Sequence, residues 1–295
     1  MSRFGEVMTA MITPFDADGA LDLNEARRLA RWLVDQGNDA LVVAGTTGEA
    51  ATLTDAEQFD LIRAVVEAVT VPVIAGAGSN DTRHALHLTS AMAGLGAAGV
   101  LTVTPYYNRP SQAGIEAHFR AVAAATELPV ILYDIPIRTG RKIENSMILR
   151  LANDCSNVIA VKDALGDVSS SARLFAEAPA GFELISGNDD QTLPLLSIGA
   201  SAVIGVATHW SAGEHKEMIT SFKKGDVERA RLVNARLLES YVFETGDLHP
   251  NPVPTKAMMR TLGFNVGQCR PPMGPTPDGL EDRARQVLAN LRASA

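Results

Sequence analysis

Lys162 follows Val158-Ile159-Ala160-Val161, an apolar run of the kind that forms a buried strand, so its ammonium is expected at the mouth of an apolar layer and not on a solvated helix face. Desolvation penalises the charged form, lowers a lysine pKa and leaves a useful fraction as free amine able to attack a ketone. Taken alone, such a lysine reads more readily as one that snorkels to water or pairs with Asp163. The residues ending the other apolar runs shift that balance. Tyr133 and Tyr107 are phenols able to move protons to and from a carbinolamine if their hydroxyls are joined through that of Thr46. Each singly is also a plausible packing residue with a satisfied hydroxyl. Gly45-Thr46-Thr47-Gly48 brings backbone N–H groups and two hydroxyls close enough to hold a small carboxylate, unless it is only a strand-to-helix turn. Arg138, just past Tyr133-Asp134-Ile135-Pro136, has the fork geometry for a second carboxylate, whereas a loop arginine without such a partner is simply solvated. Two further runs deliver Ser186-Gly187-Asn188 and Ile204-Gly205.

Other chemistries find little support. The six histidines show no HExxH or repeated ligand spacing, and His84 with His87 on one predicted helix is weak ground for a metal site, so no metal is expected. GxSxG is absent, which removes the hydrolase serine. Cys155 and Cys269 lie far apart with no CxxC spacing, consistent with a reducing cytosol. A net charge of −8 disfavours nucleic acid and anionic membrane as partners, and no run approaches the length of a membrane span or a secretory leader. A cytoplasmic location is expected.

These side chains need a scaffold that gathers strand ends. Short Val/Ile/Leu runs recur at 7–14, 40–45, 71–77, 99–105, 129–135, 158–163, 182–187 and 202–207. Between them lie amphipathic stretches with helical spacing, such as 24–37, 55–69 and 115–127. The runs are too continuous for half-solvated strands, so both faces should be covered, as in a parallel sheet wrapped by crossover helices. Eight units and the lack of a GxGxxG turn favour a closed (β/α)8 TIM barrel over an open doubly wound sheet. With 46% hydrophobic and 20% charged residues, 295 residues suffice for such a barrel and an appendage. The expected division is a catalytic barrel over 1–224 and a C-terminal helical domain over 225–295, with the Pro-rich pieces at 249–257 and 270–277 breaking helices as turns. In a barrel of this kind the active site lies at the C-terminal ends of the strands, where all the residues named above fall.

The segments GTTGEAATL, TPYYNRPSQ, YDIPIRTG, VKDALGD and ISGNDD, together with AVIGVA, HPNPVPTKA and PPMGP, resemble the dihydrodipicolinate (4-hydroxy-tetrahydrodipicolinate) synthase family of pyruvate-dependent class I aldolases, nearly end to end. The resemblance implies a lyase without a dissociable cofactor, in the diaminopimelate route to lysine. Lys162 then forms the Schiff base with pyruvate, Tyr133, Thr46 and Tyr107 form the proton relay, and Thr46 and Thr47 hold the pyruvate carboxylate. Arg138 receives the carboxylate of L-aspartate-4-semialdehyde, and Gly187 and Ile204 line the pocket through their main chains. A homotetramer of two tight dimers is implied, with Tyr107 acting in a neighbouring subunit's site. The superfamily also contains N-acetylneuraminate and 2-keto-3-deoxy-sugar-acid lyases, and a keto-acid-binding barrel without activity is a third reading. Arg138 within IPIRTG favours the synthase, since Ile135, Ile137 and Gly140 do not offer the polar groups a polyhydroxylated substrate needs.

Many members of the family bind lysine in a cleft at the dimer interface, and this chain matches that cleft at Asn80 and Tyr106. It carries Gln58 and His84 where a histidine and a glutamate are usual. An imidazole in place of a carboxylate removes the charged acceptor for a ligand ammonium, so weak or absent inhibition is expected unless Asp55 or Asp81 substitutes.

Overall fold

Eight short runs of β-branched and aliphatic residues form parallel strands: β1 (Val7–Ala10), β2 (Ala40–Val43), β3 (Val73–Gly76), β4 (Gly99–Val103), β5 (Val130–Asp134), β6 (Val158–Asp163), β7 (Glu183–Ser186) and β8 (Ala202–Gly205). The structure is a computed structural model and describes residues 2–246 and 248–293. Each strand pairs with the next, and β8 returns to β1 with Val7 opposite Val203, so the sheet closes as the expected barrel. Between the strands run α1 (Leu23–Asp35), α2 (Asp55–Ala68), α3 (Thr82–Met92), α4 (Gln112–Ala124), the short α5 (Pro136–Thr139), α6 (Asn145–Asp154), α7 (Val168–Glu177) and α8 (Thr192–Leu196). Then follow α9 (Thr208–Lys223), α10 (Val227–Glu244), α11 (Val253–Thr261) and α12 (Leu280–Ala293).

The alternation of a strand places successive side chains on opposite faces. Met8, Val42, Ile74, Leu101, Ile131, Ala160, Ile185 and Ile204 share one buried cluster inside the barrel. Leu41, Val43, Val100, Leu132, Val161 and Leu184 belong to another, shared with helix residues such as Leu33, Leu61, Val65 and Phe119. Both faces are therefore apolar, which is why the runs look continuous in sequence. The first run outlasts its strand: the ladder ends at Ala10, and Pro14 has no N–H with which to extend it.

Beyond α9, the remaining helices bury one apolar cluster with it, including Met218, Leu237, Tyr241, Met258 and Leu288. One expectation is corrected here. The segment 249–257 does not simply break helices, because α11 begins inside it at Val253 with Pro254 in its first turn. A proline is tolerated there because the first-turn N–H groups have no intrahelical acceptor. The segment 270–277 does form turns between α11 and α12.

This C-terminal part grips the loop after β2. Lys256 pairs with Glu49 at 2.6 Å, and the Arg270 amide donates to the same carboxylate at 2.8 Å. Both cations lie over the Phe15 ring, at 4.1 and 4.2 Å from its centroid. Glu49 itself sits in the left-handed region at φ +55, a conformation that these contacts hold in place.

Candidate active site

Lys162 falls on the same side of β6 as Ala160, so its side chain enters the barrel interior, and it is only 4% exposed. Its backbone neighbours in register are Tyr133 on β5 and Ile185 on β7. Nζ lies 4.3 Å from the centroid of the Tyr133 ring. Burial pulls the amine pKa down to about 8, opposed by the negative charge of Asp189 and reinforced by Arg138. The two alternatives for this lysine both fail on geometry. It does not reach bulk water, and Asp163 faces the helices, where it accepts from the Leu165 amide at 2.8 Å and from the Ser171 hydroxyl.

Tyr133 is likewise buried, and desolvation raises its phenol to about 12, with Arg138 acting in the opposite direction. A phenol that strongly prefers its proton suits a proton donor or a transient relay more than a standing base. Thr104 fixes the strand end, its hydroxyl donating to the Tyr133 carbonyl at 3.1 Å. Thr46 is exposed on the loop after β2, whereas Thr47 is buried and accepts from Asn251 Nδ2 at 2.9 Å. Arg138 lies on α5, its Nη2 donating to the Asn251 carbonyl at 3.4 Å.

A cavity of about 520 Å³ opens among Thr46, Tyr106, Tyr107, Tyr133, Arg138 and Asn251, and continues to Gln58, Ser79 and His84. Its wall includes Tyr133 but not Lys162, whose amine lies against that ring. Gly187 follows β7, and a Cβ there would meet the Asp163 carbonyl at 2.9 Å and Ala164 Cβ at 3.0 Å, so only glycine lets these backbones approach. Ile204 is fully buried on β8, in register with Met8 on β1, and its side chain joins the cluster inside the barrel.

Tyr107 stands apart. It is 89% exposed with φ at +72, and among the described residues no hydrogen bond joins its hydroxyl to Thr46 or Tyr133. The expected relay is thus not connected within one chain. The two histidines read as weak metal evidence instead share a carboxylate, with His84 Nε2 at 2.8 Å and His87 Nε2 at 3.5 Å from Asp55.

Sequence reasoning missed a buried acid pair below the site. Asp189 accepts from the Val206 amide at 2.8 Å and faces His215 Nε2 at 3.3 Å, while Glu244 accepts from the adjacent Ala207 amide at 2.8 Å. Burial, with Asp189 nearby, pushes the Glu244 carboxyl well above the usual range. Burial raises the Asp189 carboxyl, but His215, the Val206 amide and the charge of Lys162 together outweigh it and leave the group below the usual range. Asn251 was missed as well. Nothing in HPNPVPTKA shows that it reaches a residue 204 positions away.

A closed barrel with a desolvated amine at the end of its sixth strand, and polar side chains gathered where the strands end, defines a (β/α)8-barrel enzyme with its site at the C-terminal mouth. The chain belongs to the dihydrodipicolinate synthetase family, whose sequence model matches residues 3–291. It is 48% identical to the 4-hydroxy-tetrahydrodipicolinate synthase of Acidothermus cellulolyticus, over 98% of this chain and 91% of the relative. Among solved structures it is similar to a DHDPS from Cyanidioschyzon merolae with lysine bound, at 42% identity and a TM-score of 0.95, covering 98% of both chains. It is also similar to the chloride-inhibited dihydrodipicolinate synthase of Acinetobacter baumannii complexed with pyruvate, at 32% identity and a TM-score of 0.93, covering 98% of this chain and 99% of that one. These relatives carry the synthase name, so the sugar-acid lyase reading is not favoured.

Proposed function

We propose that the chain condenses pyruvate with L-aspartate-4-semialdehyde through a Schiff base on Lys162. The observation that carries this reading is the Lys162 amine, buried against Tyr133 with its pKa lowered to about 8. Near neutral pH a usable fraction is unprotonated, and it adds to the pyruvate ketone carbon. Loss of water gives the iminium, and loss of a methyl proton gives the enamine. The enamine carbon attacks the aldehyde, whose oxygen takes up a proton. The amine of the second substrate then adds to the iminium carbon, closing the ring and returning Lys162 as free amine. Tyr133 donates and recovers protons at the carbinolamine, with Thr46 and a Tyr107 from a neighbouring subunit completing the path. Thr46 and Thr47 hold the pyruvate carboxylate, while the main chains of Gly187 and Ile204 shape the pocket. Holding two substrates in reacting geometry supplies roughly 7–11 kcal/mol of the barrier reduction. A homotetramer of two tight dimers accounts for the exposed Tyr107, and the free thiols Cys155 and Cys269 fit a cytoplasmic location. A coupled assay with both substrates tests the reading: turnover with the semialdehyde supports it, and none at any pyruvate concentration opposes it.

Arg138 separates the half-reactions. Arg138 lines the cavity, and its guanidinium is assigned to the second substrate alone. Arg138→Ala should lower kcat/KM for the semialdehyde by about a hundredfold, through loss of a bidentate charged contact, while pyruvate trapping changes by less than about threefold. Equal losses in both would remove the assignment.

Lysine is expected to inhibit weakly. Gln58, His84 and Tyr106 line the same cavity. Both ring nitrogens of His84 are engaged, by Asp55 at 2.8 Å and Ser79 at 3.2 Å, and Asp55 is shared with His87. Neither group presents a free carboxylate to a ligand ammonium, and a missing charge-assisted bond weakens binding about tenfold or more. Titration of the two-substrate assay with L-lysine should show little effect below millimolar concentrations. Half-inhibition at micromolar lysine would contradict this.

A further inference from the structure

Asn251 lies between α10 and α11 and is 6% exposed. Four of its contacts run in different directions. Nδ2 donates to Thr47 Oγ1 at 2.9 Å, and Oδ1 accepts from Thr255 Oγ1 at 3.0 Å. The main-chain carbonyl accepts from Arg138 Nη2 at 3.4 Å, and the amide donates to Thr245 Oγ1 at 3.4 Å. One residue of the C-terminal part therefore touches both groups assigned to the two substrate carboxylates.

The direction of the bond to Thr47 has a chemical consequence. A hydroxyl has one proton to donate and two lone pairs with which to accept. Because the Asn251 amide donates, the Thr47 oxygen is used as an acceptor and its proton remains free for a ligand. A carboxylate can only accept. The reversed amide would take the Thr47 proton and present the ligand with lone pairs; in the orientation observed, Oδ1 is occupied by the Thr255 hydroxyl and Nδ2 is left to donate to Thr47.

We propose that Asn251 is a positioning residue that turns the Thr47 hydroxyl toward the keto-acid carboxylate while its carbonyl steadies Arg138, so that the two carboxylate sites are held at a fixed spacing. The inference rests on the roles given to Thr47 and Arg138 above. It extends them by making the C-terminal part a component of substrate selection: the site accepts a keto acid whose carboxylate adjoins the reacting carbonyl, and discriminates against one that cannot take the Thr47 proton.

The test is borohydride trapping as a function of pyruvate concentration, together with KM and kcat in the two-substrate assay. Asn251→Asp keeps the shape but replaces the donor by an acceptor, so Thr47 must give its proton to Asp. Half-saturating pyruvate should rise about tenfold or more, while labelling at saturation still occurs at Lys162 and kcat falls less than about threefold. In the Asn251→Asp background, Thr47→Val should add little, because both changes remove one donor. A merely structural role would lower stability and maximal labelling together without this split between KM and kcat. Should Asn251→Asp fail to fold, Thr255→Val carries the test by freeing the amide to rotate, with an expected rise of about threefold. Half-saturation unchanged in the folded variant, or full additivity with Thr47→Val, overturns the positioning role alone. A wild-type protein that pyruvate and borohydride do not label overturns the Schiff-base reading, and this inference with it.

Discussion

Lys162→Ala should abolish turnover, with kcat falling by roughly four orders of magnitude or more, because no other group near Tyr133 can form the covalent intermediate. The fold should survive. At pH 7 the buried ammonium is an expense to the native state, since its pKa falls from 10.5 in an unfolded chain to about 8. A depressed folded pKa means that the unfolded chain binds more protons between these values, so stability rises with pH across that window, and below about 8 the full cost applies. That cost is roughly 3 kcal/mol, comparable to the cavity penalty that truncation to Ala introduces, so the two offset each other. Lys162→Met, which fills the space without the charge, should therefore melt no lower than wild type at pH 7. Activity in Lys162→Ala within tenfold of wild type would remove the lysine from the mechanism. Unfolding of both variants would show that the amine stabilises the barrel instead of straining it.

The second large effect concerns Tyr107. Its backbone is held at φ +72 and its ring is 89% exposed, so the fold maintains an unfavourable conformation to present a phenol outward. The proposed isologous dimer would put that phenol in the partner's site and the partner's phenol in this one. Tyr107→Phe should lower kcat by roughly a hundredfold, within the range for a lost proton-transfer group. Mixing Tyr107→Phe with Lys162→Ala chains then creates dimers with one site holding both residues. With random exchange, half the dimers are mixed and half their sites are intact, so activity should return to about a quarter of wild type. Activity that stays at the sum of the two parents, after native mass spectrometry has shown mixed dimers, would place Tyr107 within its own chain's site or outside the chemistry.

Residues within or next to strands were readable from the sequence, and those held by distant contacts were not. The period of two in VIAVKD puts Lys162 inside and Asp163 outside, so the two side chains do not face each other. The same parity places Tyr133 beside it. The GTTG turn suggested a carboxylate cradle from its residue types, but the contacts around it were not legible, because Lys256, Arg270 and Asn251 arrive from the far end of the chain. The proline-rich segment 249–257 was misjudged for a local reason: proline signals a helix break in mid-helix but a helix start in a first turn, and the sequence does not say which turn it occupies. The relay is not joined within one chain, because the Tyr107 ring stands 89% exposed. Asp189 and Glu244 went unnoticed because ISGNDD and the end of α10 look like ordinary polar termini until burial is known.

The most direct test of the central claim is peptide mapping after treatment with pyruvate and borohydride. Lys162 has a competitor, because Lys256 is fully buried and burial lowers its pKa too. Lys256, however, is paired with Glu49 at 2.6 Å and donates to the Gln268 carbonyl at 3.0 Å, so its ammonium form is stabilised where it lies. A single reduced adduct on the peptide carrying Lys162, with labelling that rises with pH through about 8, is the predicted result. Labelling at Lys256 or another lysine, or no labelling of the folded protein, would contradict it.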